Sequence, residues 1–408
     1  MQGRTRAIRS TALVAVVAAA LLASGCASGE ASAPTATATE LTGDPIKIGF
    51  INREAGTTQS LSQQSAGARA AVQYINEELG GVDGHPLEIE VCATDGTPAT
   101  AQTCAQEMVS YDPSFVTTGT TYSMDVAYPV LEAAGIPVLG GTPTAGTDFA
   151  APQARYWIGG TVSIVVSAAG YIIDYMPDVD NVGILVFNLP SGQAAIPLVQ
   201  GPLEAAGKTV QVVQVPTTAT DMLSPYTSLV DGGAEVVVAL LLDQQCIALA
   251  QAAQSQNSDV TFLTQPGCYS EQIVQQAGGA MDGWIVPFYG PEPMSEGDEE
   301  AATFRDAMAK YEPDASVDGI SMIGFNAIMT NYLNLLKNIP YEDLSYDTLL
   351  AQADEPGQTA FLGSDLSCGA VESFSSLCAM TSRWYEIQSD GNLKDMTDGE
   401  YVDALDFM

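Results

Sequence analysis

Two short segments of the sequence combine glycines with side-chain hydroxyls in a way that suits the binding of a carboxylate. Residues 119–124 read Gly-Thr-Thr-Tyr-Ser-Met, and residues 140–146 read Gly-Gly-Thr-Pro-Thr-Ala-Gly. Each segment follows a short apolar run and precedes a helical pattern, which predicts a loop at the carboxyl end of a strand. Helix amino termini offer free N–H groups and about half a positive charge. The candidate ligand-binding side chains in these loops are Tyr122, Ser123, Thr142 and Thr144. In an alternative interpretation, Ser123 and Thr144 only cap the helices that follow.

The sequence lacks the residues and motifs that most enzyme classes need for catalysis. The chain has a single histidine, His85, which leaves little room for a serine–histidine–aspartate triad and none for a multi-histidine zinc site. No G-x-x-x-x-G-K, G-x-S-x-G or H-E-x-x-H motif occurs, and no G-x-G-x-x-G follows the first predicted strand. With 49 acidic residues, neighbouring carboxylates are expected on any solvated surface. We therefore predict no catalytic residue, no cofactor and no metal site, and a secreted enzyme is the least favoured class.

Charge and length set further bounds. The 408 residues include 13 Lys and Arg against 49 Asp and Glu, which gives a net charge of -36. Nucleic-acid binding needs clustered basic residues, so a nucleic-acid partner is excluded. The length predicts two domains or lobes, and a hydrophobic content of 46% is sufficient for packed cores.

The first 44 residues predict export and membrane attachment. Residues 1–25 begin with three arginines in the first ten positions, and the apolar run at 13–23 is shorter than the roughly 20 residues that span a bilayer. The sequence Leu-Ala-Ser-Gly-Cys at 22–26 resembles the bacterial lipobox, so Cys26 is predicted to carry the lipid; an ordinary signal peptide with a chance cysteine is the alternative. Residues 26–44 are small, polar and proline-containing, which is typical of a flexible tether. The protein is expected at the extracytoplasmic face of the cell membrane, held there by the lipid alone.

The cysteine count agrees with export. Without Cys26, six of the seven cysteines remain, and an even number in an exported protein predicts disulfides. Six cysteines allow fifteen pairings. The spacing favours three local bonds, each worth on the order of 3 kcal/mol: Cys92–Cys104, Cys246–Cys268 and Cys368–Cys378. A metal site is the alternative, but the C-x-x-C pairs and the histidines that it would need are missing.

The elements that must position these residues alternate between strand and helix. In a first series, strands are predicted at 46–51, 87–92, 115–117 and 136–139, with helices at 60–79, 97–110 and 124–134. A second series from about residue 161 repeats this alternation up to a strand at 284–287. Two longer helices at 299–311 and 320–336 and a strand at 383–388 follow. Short strands separated by helices predict parallel sheets covered on both faces, so the fold class is α/β with two doubly wound lobes.

Four sequence stretches together carry a family resemblance. They are Ile46-Lys-Ile-Gly-Phe-Ile, Gly80-Gly-Val-Asp-Gly, Ala134-Gly-Ile-Pro-Val and Leu203-Glu-Ala-Ala-Gly. They resemble the type I periplasmic binding proteins of the branched-chain amino acid branch, which are solute receptors of ABC importers. The resemblance covers about residues 45–388. It implies two Rossmann-like lobes joined by a three-segment hinge, with lobe one at 45–158 plus 290–360 and lobe two at 159–289 plus 361–408.

The resemblance also implies roles for individual residues. In the family, a serine loop and a threonine loop of lobe one hold the carboxylate and ammonium groups of the ligand, and Ser123, Thr142 and Thr144 fall at these places. Lobe two of the family usually adds an aromatic residue and an acid, but here the loop at 188–192 has no Tyr and the loop at 264–269 has no acid. Asp243 is a candidate substitute for the acid, with a helix cap as the alternative role. Arg53 replaces part of the first loop's usual apolar-Ser-Gly phrase, and two interpretations stay open: it binds an anion, or it pairs with Glu54.

Two functions compete on this basis. The first is the solute receptor of an ABC importer, a monomer that binds an amino acid or another small carboxylate between its lobes and docks on permease subunits. The second is a sensor, in which the same module reports to a partner receptor. The sequence alone does not separate them.

Overall fold

The computed structural model describes residues 41–55, 60–257 and 259–408. The predicted signal peptide, the predicted lipid-attachment residue Cys26 and most of the predicted tether lie outside the described residues. Residues 41–44 at the end of that tether belong to the fold, because the Gly43 N–H donates to the Gly84 carbonyl at 3.0 Å. None of the helices in the described part of the chain has the length and hydropathy needed to cross a membrane.

The first lobe is built on a parallel sheet with the strand order β2-β1-β3-β4-β5. Its first elements are β1 Ile46–Arg53, α1 Ser62–Glu78, β2 Leu87–Thr94, α2 Pro98–Tyr111, β3 Phe115–Thr118, α3 Tyr128–Ala133, β4 Val138–Leu139 and β5 Ala154–Arg155. Along β1, Ile46, Ile48 and Phe50 face one core and Ile51 faces the other, as the two-residue period of a strand requires. Both faces of the sheet are therefore covered, as the apolar runs predict.

The second lobe has a larger sheet with the order β12-β11-β10-β9-β8-β6-β7, and β13 pairs with β11. Its elements are α4 Gly160–Tyr175, β6 Asn181–Phe187, α5 Pro190–Ala205, β7 Thr209–Val215, α6 Leu223–Asp231, β8 Val236–Leu240, α7 Asp243–Ser255, β9 Thr261–Thr264, α8 Glu271–Ala277 and β10 Ile285–Phe288. Strands β6 to β10 are parallel. Two separate hydrophobic cores lie on the two faces of this sheet.

The remaining chain returns to lobe one and then completes lobe two. The elements are α9 Glu299–Tyr311, α10 Gly319–Asn331, α11 Tyr346–Ala353, β11 Thr381–Ile387, β12 Leu393–Asp395 and β13 Val402–Asp403. Helices α9 and α10 pack in the same core as α1. Strand β11 runs antiparallel to β10. The predicted α/β class with two doubly wound lobes is confirmed.

Two predicted details need correction. The lobe boundary at residue 360 is too early, because Phe361, Leu366 and Ala379 lie in the core that α1 and α10 form, and the chain joins the sheet of lobe two only at β11. The predicted helix at 124–134 is interrupted: a 3-10 turn, Met124–Val126, precedes α3. Local sequence patterns do not show which lobe a segment packs against, which explains the first error.

Three disulfide bonds are present, and they are the three pairs that the spacing favours: Cys92–Cys104, Cys246–Cys268 and Cys368–Cys378. The first joins β2 to α2. The second joins the first turn of α7 to the turn after β9, so it holds these two segments together at the carboxyl edge of the lobe-two sheet.

Helices α1 and α10 cross at very short range. A Cβ atom on Gly324 would lie 1.8 Å from the Gln64 carbonyl oxygen, and one on Gly67 would lie 1.9 Å from the Ser321 carbonyl oxygen. Glycine is therefore required on both helices, because any side chain would push the two backbones apart. The crossing sets the position of the first turn of α1, which lies beside the candidate site.

Candidate functional site

The candidate site lies where three neighbouring strands of lobe one end. Strands β1, β3 and β4 are adjacent and parallel, so Arg53, the loop after β3 and the loop after β4 share one edge of the sheet. Thr120 and Thr142 extend the pairing of β3 with β4 by one bridge. Ligands of open α/β sheets bind at such carboxyl edges.

Arg53 is the cation of this edge. Its side chain is 8% exposed, and the guanidinium lies over the ring of Tyr122, 4.6 Å from the centroid. Its Nε is buried without a hydrogen-bond partner, and Arg53 makes no ion pair within the described part of the chain. Glu54 instead accepts hydrogen bonds from Asn52 and Ser65. The structure therefore shows no Arg53–Glu54 pair, which was one of the two interpretations of Arg53.

Buried polar atoms without partners lie at the same edge of the sheet as Arg53. The hydroxyls of Thr121 and Thr142 and the side-chain oxygen of Asn52 are buried with no hydrogen-bond partner. Thr121 is 1% exposed and Thr142 is 8% exposed. An unsatisfied buried donor or acceptor costs about 1–3 kcal/mol, so several of them at one sheet edge indicate a place that a polar group is meant to fill.

Ser123 and Thr144 have structural partners. The Ser123 hydroxyl donates to the Gly96 carbonyl at 3.0 Å and makes no helix-capping bond. The Thr144 hydroxyl donates to the Thr121 carbonyl at 2.7 Å. Both hydroxyls therefore tie neighbouring loops together, so the capping role considered for them is not seen. Each oxygen keeps lone pairs that can still accept a hydrogen bond.

A buried acid fixes the loop after β4. The Asp148 carboxylate accepts the backbone N–H groups of Thr144 and Ala145 at 2.8 and 2.9 Å and the Tyr128 hydroxyl at 2.8 Å. Tyr128 is hydrogen-bonded in turn to Tyr156. Burial raises the pKa of Asp148, and the hydrogen bonds offset part of that rise. Sequence reasoning missed this network, since its members are spread over α3, the loop after β4 and the residue that follows β5.

Gln64 is a second residue that the sequence did not reveal. Its side-chain oxygen accepts the Thr120 N–H at 2.7 Å, and its side-chain nitrogen donates to the Thr120 hydroxyl at 2.9 Å. It thus fixes the loop after β3 to the first turn of α1. In the sequence it is an ordinary polar residue of a helical pattern, and no motif marks it.

Asp243 lies apart from the lobe-one residues. It is half-buried in the first turn of α7, and Leu242 occupies the capping position, so the cap role considered for Asp243 is not seen. It lines a cavity of about 1080 Å³ that also touches residues 60–63 of lobe one, the start of α10, and lobe-two residues around Tyr269 and Phe288. Of the six predicted ligand residues only Asp243 lines this cavity, and the other five gather at the lobe-one edge beside it.

The group of potential metal ligands in the described residues contains no free thiolate. In the described ranges, one group of three ligand-type side chains converges: Cys92, Cys104 and Glu107. The two sulfurs are bonded to each other as a disulfide. A disulfide offers no thiolate to a metal ion, so this group is a covalent link beside a surface carboxylate.

Comparison with known proteins identifies the family. Residues 45–363 match the family model described as periplasmic binding protein, so the chain belongs to that family, and its fold is the type I fold predicted from the sequence. The family comprises solute-binding proteins rather than enzymes. No curated protein matches the sequence significantly.

Solved structures show the same fold at low sequence identity. An extracellular ligand-binding receptor from Verminephrobacter eiseniae has a TM-score of 0.74 and 16% identity, and the match covers 86% of this chain and 99% of that one. A fatty acid ABC transporter substrate-binding protein from Thermomonospora curvata has a TM-score of 0.72 and 16% identity, with 91% and 96% covered. The branched-chain amino acid transporter substrate binding protein LivJ from Streptococcus pneumoniae, solved with isoleucine, has a TM-score of 0.68 and 18% identity, with 86% and 98% covered.

Proposed function

We propose that this protein is the extracytoplasmic solute receptor of an ABC importer and that it binds a small solute bearing a carboxylate. The family membership supports the solute-binding role, and the similar structures named as ABC transporter proteins favour transport. The single observation that carries the carboxylate is Arg53, a buried guanidinium without an acidic partner among the described residues. A buried cation is stable only when an anion or other hydrogen-bonding partner compensates it.

The proposed binding mode uses the lobe-one edge as an anion site. Arg53 and the hydroxyls of Thr121 and Thr142 hold the carboxylate, and Tyr122 keeps the guanidinium in place through its ring. Ser123 and Thr144 shape the two loops and offer further acceptors. Asp243 faces the solute from lobe two. Closure of the two lobes around the solute then selects the form that docks on the permease.

We further propose that Cys26 carries a lipid, which keeps the receptor near its permease. A lipid anchor restricts the receptor to the membrane surface and so raises its effective concentration there. Mass spectrometry of the mature protein from membranes tests this, because lipidation adds the mass of the acyl chains to a peptide that starts at Cys26. An unmodified Cys26 would overturn it and leave the binding function untouched.

The test of the carboxylate site is an arginine substitution with a matched control. Calorimetric titration of the purified protein against amino acids and organic acids identifies a binder. Arg53→Gln is expected to weaken that binding by about 1.5–3 kcal/mol, the worth of a hydrogen bond to a charged group, or roughly 10–150-fold. The matched control is Arg69→Gln, in helix α1. It removes a partly exposed ion pair between Arg69 and Glu312 and is expected to leave the affinity for the solute unchanged. Equal affinity of the Arg53→Gln variant and wild type would refute the anion site.

A further inference from the structure

The loop after β4, residues 140–146, is fixed at one side to the point where the chain leaves lobe one. The network of hydrogen bonds around Asp148 ends at the Tyr156 hydroxyl. Tyr156 is 1% exposed and directly follows β5. Its N–H donates to the Ser376 carbonyl at 2.8 Å, and its carbonyl accepts the Cys378 N–H at 2.9 Å. The loop is therefore tied to two of the segments that run between the lobes.

Helix α4 touches the same loop from the other side. The helix begins at Gly160, whose φ is +55°, and a Cβ atom there would lie 2.0 Å from the Pro143 carbonyl oxygen. Pro143 is buried and stands between Thr142 and Thr144. Glycine is required at this position, because a side chain would need both a strained backbone and a shifted loop. The backbone of α4 thus lies directly on the centre of the loop that carries the two candidate threonines.

Helix α4 packs against both lobes. Val162, near its start, lies in a core that also contains Val138 of lobe one. Val165 and Ile172 lie in a different core, together with Ile184 of lobe two. A change in the angle between the lobes must therefore displace α4 relative to at least one of them. Protein interiors are close-packed, so such a displacement is passed to the residues that the helix touches.

The chain between lobe one and α4 is short. Trp157 is anchored in lobe one, where its Nε1 donates to the Asn331 side-chain oxygen at 2.9 Å. After one further residue, the pair Gly159 and Gly160 leads into α4. Glycines tolerate dihedral changes that other residues do not, so we expect α4 to turn about this pair when the lobes move. The second glycine of the pair is the residue that touches the loop.

We propose that Gly160 and Tyr156 are positioning residues of the solute site and that the loop after β4 couples solute binding to the angle between the lobes. Tyr156 holds the loop to lobe one, and Gly160 passes each displacement of α4 to Pro143, between Thr142 and Thr144. Coupling of this kind is reciprocal, so a solute that fixes the two threonines also favours one position of α4. The part that concerns the solute rests on the proposed function.

Hydrogen–deuterium exchange of the purified protein, read by mass spectrometry, tests the coupling without any solute. The segments to compare are 141–148, which contains the N–H groups bonded to Asp148, and 160–166 of α4. Tyr156→Phe removes one hydrogen bond from the network and is expected to speed exchange in both segments roughly fivefold. Faster exchange in 141–148 alone would show a merely structural bond and would overturn the coupling, as would unchanged exchange in both segments.

Gly160→Ala perturbs the loop from the side of α4 and has a matched control. Because its Cβ must displace Pro143, this variant is expected to speed exchange in 141–148 by a similar factor. Gly207→Ala, after α5, also places alanine at a positive φ, +83°, but no atom of the described chain lies within 4 Å of its added Cβ. It should leave both segments as in wild type. Equal exchange in the two glycine variants would overturn the role of Gly160, and if Gly160→Ala does not fold, Tyr156→Phe decides the coupling.

Calorimetric titration separates this inference from the proposed function. The panel of amino acids and organic acids starts with isoleucine, benzoate and octanoate. For any acid that wild type binds, Tyr156→Phe and Gly160→Ala are expected to weaken binding roughly fivefold, and Gly207→Ala is expected to leave it unchanged. Wild-type affinity in both positioning variants would overturn their role and leave the proposed receptor intact. A failure of wild type to bind any member of the panel would overturn the proposed receptor, while the exchange experiment still decides the coupling.

Discussion

The close crossing of α1 and α10 makes Gly324→Ala an informative perturbation. The added Cβ would lie 1.8 Å from the Gln64 carbonyl oxygen and 3.0 Å from the Ala68 nitrogen. Ordinary carbon–oxygen contacts are about 3.3–3.6 Å, so the helices must separate by roughly 1.5 Å at this point. Both clashing groups belong to backbone, and no side-chain rotation relieves them.

The expected stability loss follows from two opposed effects. Overpacking a close contact costs typically 1–3 kcal/mol, and a rigid backbone clash places this case at about 3. Alanine regains at most about 1 kcal/mol over glycine inside a helix. The net expectation is a free energy of unfolding lower by about 2 kcal/mol, measured by urea denaturation followed by tryptophan fluorescence.

The same variant is expected to weaken ligand binding. A displaced α1 moves Gln64 away from Thr120, whose N–H and hydroxyl it binds. Losing one such hydrogen bond costs about 1 kcal/mol, or roughly fivefold in affinity if the loop after β3 relaxes with it. Gly201→Ala, in helix α5 of lobe two, is the control, because no atom lies within 4 Å of its added Cβ. That control should be more stable by about 0.4–1 kcal/mol, and a Gly324→Ala variant as stable as wild type would refute the close-approach argument.

Two further predictions concern carboxylates of lobe one. Hydrogen bonds lower the pKa of Asp95 to about 2; the largest effect comes from the Thr100 hydroxyl, and smaller ones come from the hydroxyl and N–H of Thr97. NMR titration of the Asp95 carboxyl should show this midpoint, and Thr100→Val should raise it toward the ordinary value of about 3.9; an unchanged midpoint would exclude Thr100 as the cause. Burial raises the pKa of Asp148, so its neutral form is favoured more in the folded than in the unfolded protein. The contribution of Asp148 to stability is full below about pH 4 and is lost as pH rises through its folded pKa. Over that range, the free energy of unfolding of wild type should therefore fall relative to that of Asp148→Asn. A relative rise would contradict the assignment.

Much of the architecture was predictable because short, local stretches of sequence determine the strands and helices. The apolar run at 46–51 became β1, and the alternation of such runs with helical patterns gave the correct class and two lobes. The loops at 119–124 and 140–146 were placed correctly because parallel strands must end at one edge of a sheet. The spacing of the cysteines was informative for the same reason: each bonded pair is close in sequence, with separations of 12, 22 and 10 residues.

Other features depend on contacts between distant residues. Sequence reasoning placed residues 361–379 in lobe two, but Phe361 and Ala379 pack in the core of lobe one. The cavity is lined by residues of α1, α7, α8, α10 and the segment after β11, and no local sequence pattern predicts that these segments lie together. Asp243 lies in the first turn of α7 and lines this cavity, apart from the five predicted residues at the lobe-one edge, and no sequence pattern shows that separation.

By itself, the sequence determined the fold class, the family, the acidic surface and the two hydroxyl-bearing loops, because periodicity and loop chemistry act over a few residues at a time. The tertiary structure alone decided what Arg53 does. Its neighbour in sequence, Glu54, is bonded to Asn52 and Ser65, while Tyr122, nearly seventy positions away, supplies the ring on which the guanidinium lies. Whether a buried charge is paired depends on which side chains folding brings to it, and folding here brought Arg53 an aromatic face and no acid from the described chain.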